Sequence, residues 1–313
     1  NLIKNKKVSP VELTHYFLDK LETIGPQYNA IAHINKKSAL KQAEKAEKGI
    51  FNNEYIGSLH GIPYAAKDLL STNDGSPTTW GAKPFLNQSY EIESTIITKL
   101  NSAGAILCAK TSMVEFAGGM GYQQPNASAF GPGINPWNKS FWSGGSSSGS
   151  GSAVASGIIP FAIGSETWGS ILSPASNCGI TGLRPTFGIV SRYGSMVLSW
   201  TLDKIGPLAL SSNDIEIITQ NIIGKDNKDP YSIENSFNLL NQIPKNLKNV
   251  YLVASTDGVV TKIEVANELK KFNTIGIDLV AMSVNDILVQ GGKPFIFLDS
   301  ISINKINQNK LQD

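Results

Sequence analysis

Three short segments hold the residue types from which a hydrolase can be built. The first is Gly61-Ile62-Pro63-Tyr64-Ala65-Ala66-Lys67-Asp68, a lysine at the end of a small apolar strand. The second is Ser143-Gly144-Gly145-Ser146-Ser147-Ser148-Gly149-Ser150-Gly151. The third is Gly164-Ser165-Glu166-Thr167-Trp168-Gly169-Ser170-Ile171, ahead of Pro174 and the run Cys178-Gly179-Ile180-Thr181-Gly182-Leu183-Arg184-Pro185. A serine hydroxyl attacks poorly until a neighbouring base removes its proton. A lysine serves as that base only when neutral, and burial among apolar groups lowers its pKa toward that state. Tyr64, Ala65 and Ala66 give Lys67 such surroundings. Asp68 would oppose the effect, but successive side chains on a strand point to opposite faces.

Each segment taken alone has a plainer reading. A single lysine is most often a surface or salt-bridged residue, a serine run is most often a loop, and Ser170 after Gly169 suits a helix N-cap. Only their co-occurrence points to chemistry. Gly145-Ser146-Ser147-Ser148-Gly149 also fits G-x-S-x-G with Ser147 as nucleophile, yet that fold places its histidine after the serine. His15, His33 and His60 all precede it and read as helix-surface or turn residues. Neither G-x-x-x-x-G-K-[ST] nor G-x-G-x-x-G occurs, so a nucleotide-binding module is excluded on pattern.

In this order the three segments resemble the amidase signature family, over residues 1 to about 245. His60-Gly61-Ile62-Pro63 and Ser191-Arg192-Tyr193-Gly194 resemble it too. The resemblance implies an α/β fold, an α/β/α sandwich around a mixed sheet, and a Ser–cis-Ser–Lys triad. By the same match Ser170 is the nucleophile, Ser146 the bridging serine after a cis peptide, and Lys67 the base. A hydroxyl in the middle both donates and accepts, so Ser146 can relay a proton. The backbone amides of Thr167, Trp168, Gly169 and Ser170 would form the oxyanion hole. The implied activity is hydrolysis of a carboxamide C–N bond, other than a peptide bond, through an acyl-enzyme. The implied substrate is a small-molecule amide, with no metal or organic cofactor.

Three positions depart from the family pattern. Trp168 stands where a second glycine is common, Glu166 where aspartate is, and Leu172 where an arginine often follows the nucleophile's isoleucine. A backbone amide survives each change, while a bulky indole would narrow the acyl pocket or form part of its wall. These departures point toward a stand-alone amidase. The alternatives are a subunit of a glutamine-dependent amidotransferase that works on aminoacyl-tRNA, and a catalytically inactive chimeric fragment.

The elements that must position these residues read as α/β. Ser9-Pro10-Val11-Glu12 is a capping box with proline in the first turn. Leu13, Phe17, Leu21 and Ile24 then recur at helical spacing until Gly25-Pro26. A second helix is expected from Ser38 to Lys48, ended by Gly49. Extended pieces at Tyr64–Ala66 and Ile106–Ala109 flank a helix starting near Ser94, and another helix runs from about Asn213 to Ile223 before Gly224. Gly118 to Gly206 is rich in glycine, serine and proline but interleaved with Trp137, Trp142, Phe161, Trp168 and Trp200. We expect an ordered, loop-rich core there, whose small residues let backbone approach a ligand.

From about Val250 the character changes. Ser255-Thr256-Asp257-Gly258-Val259-Val260-Thr261-Lys262, the stretch from Gly276 to Asp286, and Gln290 to Asp299 resemble the first part of phosphoribosylformylglycinamidine cyclo-ligase. That resemblance would put Asp257, Asn285 and Asp286 in a nucleotide and magnesium region, with Val260 replacing a glycine. Acidic residues without the rest of their cage do not hold the ion, so no cyclo-ligase activity is expected. The expected organisation is therefore an incomplete amidase signature domain over 1–248 and a short α+β tail fragment over 249–313.

The 313 residues suffice for a substantial core. With 41% hydrophobic residues and a net charge of +2, nothing in the balance calls for nucleic acid or an anionic membrane as partner. Cys108 and Cys178 lie far apart without a CxxC pair, which argues against a disulfide framework or zinc site and for a reducing compartment. No apolar run approaches the roughly 20 residues of a membrane helix. The chain opens on Asn1 and reads as a fragment, with a cytoplasmic location as the default and no oligomeric state legible.

Overall fold

The computed structural model describes residues 2–118 and 124–234. The boundary expected near residue 249 and the tail behind it lie outside those residues.

The first helix, α1 (Pro10–Thr23), starts as its sequence dictates. Ser9 Oγ accepts from the amides of Val11 and Glu12, and the Glu12 carboxylate reaches back to the Ser9 amide. Leu18 and Leu21 turn inward. The second helix, α2 (Lys36–Phe51), is longer than expected and passes through Gly49. Its left-handed terminating residue is Asn53 (φ 64°), whose amide returns to the Ile50 carbonyl. An asparagine thus does what the sequence reading assigned to glycine. Helix α3 (Thr95–Ser102) follows Ser94 as expected, and α6 (Ser212–Ile222) is capped by Ser211 accepting from the Asp214 amide.

Six strands form one mixed, open sheet: β1 (Ile31–Ile34), β2 (Pro63–Lys67), β3 (Ile106–Thr111), β4 (Phe161–Glu166), β5 (Thr181–Gly182) and β6 (Lys204–Ala209). Their order is β1-β3-β2-β4-β6-β5. The central β3, β2 and β4 are parallel, and the flanking pairs are antiparallel. The two-residue side-chain period splits the sheet's contacts into two layers. Tyr64, Ala66, Phe161 and Ile163 face a core with α3 and α6, where the Tyr64 and Phe161 rings stack at 5.3 Å. Ala65 and Ala162 face the other core with α1, α2 and two further helices, α4 (Ser148–Ala155) and α5 (Leu172–Cys178). This is the α/β/α arrangement.

The glycine- and serine-rich stretch contains α4, β4, α5 and β5, so it is structured as expected, and its small residues allow close packing. A Cβ on Gly149 would lie 2.3 Å from the Ala30 carbonyl oxygen and 2.5 Å from Ser112 Oγ. The glycine lets α4 press against the chain entering β1 and leaving β3. The serines do likewise: Ser150 Oγ meets Thr111 Oγ1 at 2.7 Å, and Ser152 Oγ donates to the Ile134 carbonyl at 2.7 Å. The aromatics divide. Phe161 is buried, whereas Trp137, Trp168 and Trp200 are 75%, 70% and 66% exposed.

Candidate active site

Alternation along β2 decides where its last residues go. Lys67 continues the Ala65 face toward α4, and Asp68 goes to the opposite layer. There Asp68 accepts from the Thr79 hydroxyl and amide and pairs with the buried Lys110 at 3.4 Å. The sequence reading of Asp68 as directed away from Lys67 agrees with this placement.

Lys67 is fully buried. Its Nζ donates to Ser146 Oγ at 2.7 Å, to Ser165 Oγ at 2.9 Å and to the Ser165 carbonyl at 3.4 Å. Burial drives its pKa down to about 7, against the opposing pull of Asp203 and then Glu166. The amine is therefore poised to lose its proton near neutrality.

Ser146 follows a cis peptide bond from Gly145 and its carbonyl accepts from the Val114 amide at 3.1 Å. Ser147, the nucleophile of the rejected G-x-S-x-G reading, has its hydroxyl donating to the Ser165 carbonyl on β4 at 3.1 Å. Its amide donates to the Ser170 carbonyl at 3.2 Å, which lays the two serine segments against each other. Ser170 is buried just ahead of α5, whose cap position is Ile171. The N-cap reading of Ser170 thus gives way by one residue.

Thr167, Trp168, Gly169 and Ser170 form the turn from β4 into α5. Gly169 sits at φ 87°, a conformation that favours glycine and swings the chain toward the helix. Three side chains to which the sequence reading gave no role brace this turn. Glu166, noted only as a departure, is buried and accepts from the amides of Ile171 at 2.8 Å and Leu172 at 2.9 Å, with Arg184 at 3.2 Å behind it. Asp203 accepts from the Thr167 hydroxyl, and Lys204 Nζ donates to the Thr167 carbonyl at 3.0 Å. Ser165, quoted in its segment without a role, is the second hydroxyl on Lys67. No local sequence pattern announces this contact, because it depends on β4 pairing beside β2.

The Trp168 indole is exposed. His15 is exposed on α1 and His60 sits in a turn, as read, but His33 lies on β1 rather than on a helix or turn. Both cysteines are buried and free. Among the described residues no group of three or more His, Cys, Asp or Glu side chains is placed to hold a metal ion, and no helix is long and apolar enough to cross a membrane.

The structure thus joins the first two segments through a lysine-to-serine contact at the carboxyl end of a parallel strand, next to a cis Gly–Ser bond. The family model for amidases matches residues 12–278. The chain belongs to the amidase family. The matched stretch continues past residue 248, where the sequence pattern placed the end of the first segment. Among curated relatives, this family member is 44% identical over 231 residues to a subunit of the glutamyl-tRNA(Gln) amidotransferase of Coxiella burnetii, covering 74% of this chain and 47% of that one. Among solved structures, the peptide amidase of Stenotrophomonas maltophilia aligns with a TM-score of 0.70 at 32% identity, over 74% of this chain and 48% of that one. A bacterial aryl acylamidase of the amidase signature enzymes aligns with a TM-score of 0.69 at 29% identity, over 77% and 50%. The chain spans about half the length of the curated relatives it matches.

Proposed function

We propose that this amidase-family chain hydrolyses a small carboxamide to the acid and ammonia or an amine, with Ser170 as nucleophile. The observation that carries the reading is the 2.7 Å contact between Lys67 Nζ and Ser146 Oγ, made by a buried amine whose pKa lies at about 7. In the neutral form the lysine lone pair accepts the Ser146 proton, and Ser146 Oγ accepts the proton of Ser170. Ser170 Oγ then attacks the carbonyl carbon, and the oxyanion forms under the amides of the 167–170 turn. As the C–N bond breaks, the proton returns through Ser146 to the departing nitrogen. Water, deprotonated along the same relay, cleaves the acyl-enzyme and regenerates the Ser170 hydroxyl. No step calls for a metal or organic cofactor.

The test is covalent labelling with a serine-directed fluorophosphonate together with turnover of a simple aryl amide. Labelling on Ser170, lost in Ser170→Ala, with turnover abolished in Ser170→Ala and Lys67→Ala, is the expected result. Absence of label from the folded wild-type chain would instead support an inactive fragment.

A second reading rests on the 44% identity to a component of a glutamyl-tRNA(Gln) amidotransferase. In that case the chain releases ammonia from glutamine and needs partner subunits. Glutamine turnover that appears only when those subunits and an aminoacyl-tRNA are added would favour it over stand-alone amide hydrolysis.

A further inference from the structure

Asp203 lies in the turn that leads into β6, and its residue is buried. One carboxylate oxygen accepts from the Thr167 hydroxyl. The other accepts from the amides of Leu198 at 2.7 Å and Ser199 at 3.0 Å. The next residue, Lys204, opposes Glu166 in the β4–β6 register and donates its Nζ to the Thr167 carbonyl at 3.0 Å. Thr167 is thus gripped by side chain and backbone at the residue that opens the 167–170 turn.

Asp203 is tied to Thr167, two residues beyond the Ser165 hydroxyl that accepts from Lys67, and its charge acts on the buried amine. The groups acting on Lys67 come from three segments: Ser146 ahead of α4, Ser165 and Glu166 on β4, and Asp203 ahead of β6. Glu166 is paired with Arg184 at 3.2 Å, which offsets its charge, and Lys204 stands near both carboxylates. Asp203 is the stronger of the two carboxylates in opposing the effect of burial on Lys67.

We propose that Asp203 is a positioning residue that clamps the Thr167–Ser170 turn to the 198–203 loop and supplies the main negative charge acting on Lys67. The inference rests on the reading of Ser170 as nucleophile. It adds that the turn and the base are set by one carboxylate. Geometry and charge are then separable by substitution. Asparagine at position 203 retains an acceptor for the two amides and offers an N–H to Thr167, but carries no charge. Valine at position 167 removes the hydroxyl and leaves the carboxylate charged.

The experiment measures pH profiles of kcat and kcat/KM for aryl amide hydrolysis in wild type, Asp203→Asn and Thr167→Val, with circular dichroism to establish folding. In Asp203→Asn the acidic limb of kcat/KM moves to lower pH by roughly one unit, because the ammonium form of Lys67 loses its main stabiliser. In Thr167→Val the limb stays where it is in wild type, while kcat falls roughly tenfold or more with little change in KM, because the turn loosens. A role confined to folding would lower thermal stability and leave the limb unmoved in both. An unmoved limb in folded Asp203→Asn, or an unchanged kcat in Thr167→Val, overturns the proposal. If Asp203→Asn does not fold, the Thr167→Val result decides it. Wild-type protein that folds but neither turns over amides nor labels on Ser170 removes the underlying reading, a result seen before any variant is compared.

Discussion

Lys67 loses its water between β2 and the Ser146 segment, and the consequence reaches both catalysis and stability. Only the neutral amine can accept a proton from Ser146, so kcat/KM should rise through an acidic limb near pH 7, the value to which burial brings this lysine. The same shift fixes a stability slope. The unfolded lysine holds its proton up to about 10.5 and the folded one only to about 7. Between those values unfolding takes up a proton, so this group makes stability rise with pH across that window, and its cost is complete below about pH 7. Lys67→Met keeps apolar volume and removes the titration. Its stability relative to wild type should be highest near pH 6 and shrink steadily by pH 10, a change on the order of a few kcal/mol. Thermal unfolding at three pH values checks this, and a pH-independent difference would exclude a buried lysine of lowered pKa.

At the scale of elements, the β4–α5 connection depends on Glu166, whose carboxylate reaches past the turn to the first amides of the helix. Glu166→Ala should cost about 1–3 kcal/mol for the unmet amides and lower kcat by roughly ten- to a hundredfold as the 167–170 turn drifts. Ser9→Ala makes a contrast in the same assay. Loss of the α1 cap should cost about 1 kcal/mol and leave kcat unchanged, because among the described residues the Ser9 hydroxyl bonds only within the first turn of α1 and to Glu47 of α2. These two elements also show what the sequence discloses. The α1 box was legible because its partners are three residues apart. The brace from Arg184 through Glu166, and the one from Asp203 to Thr167, join residues far apart in sequence with no local period to announce them. Gly49 misled for a related reason: terminating a helix needs one left-handed residue, and Asn53 takes that place.

For the molecule as a whole, the sheet works as a partition. Composition and the alternation of strand and helix patterns were enough to indicate α/β, and the small apolar residues before Lys67 indicated a buried strand. The strand order was not legible, because pairing of β2 with both β3 and β4 is decided by packing across the chain. That order creates a second buried charge site, Asp68 with Lys110, on the face opposite Lys67. Removing one member of a buried pair strands the other, at roughly 3–5 kcal/mol, whereas removing both is far milder. Lys110→Met should therefore destabilise strongly, and Asp68→Asn with Lys110→Met should recover much of the loss in thermal unfolding. The charges that act on Lys67 are Asp203 and Glu166, and Asp68 is not among them. The acidic limb of the double variant should then remain near that of wild type. A limb displaced by a full unit would show that charge in one layer reaches the base through the sheet, and the two faces would have to be treated as a single electrostatic site.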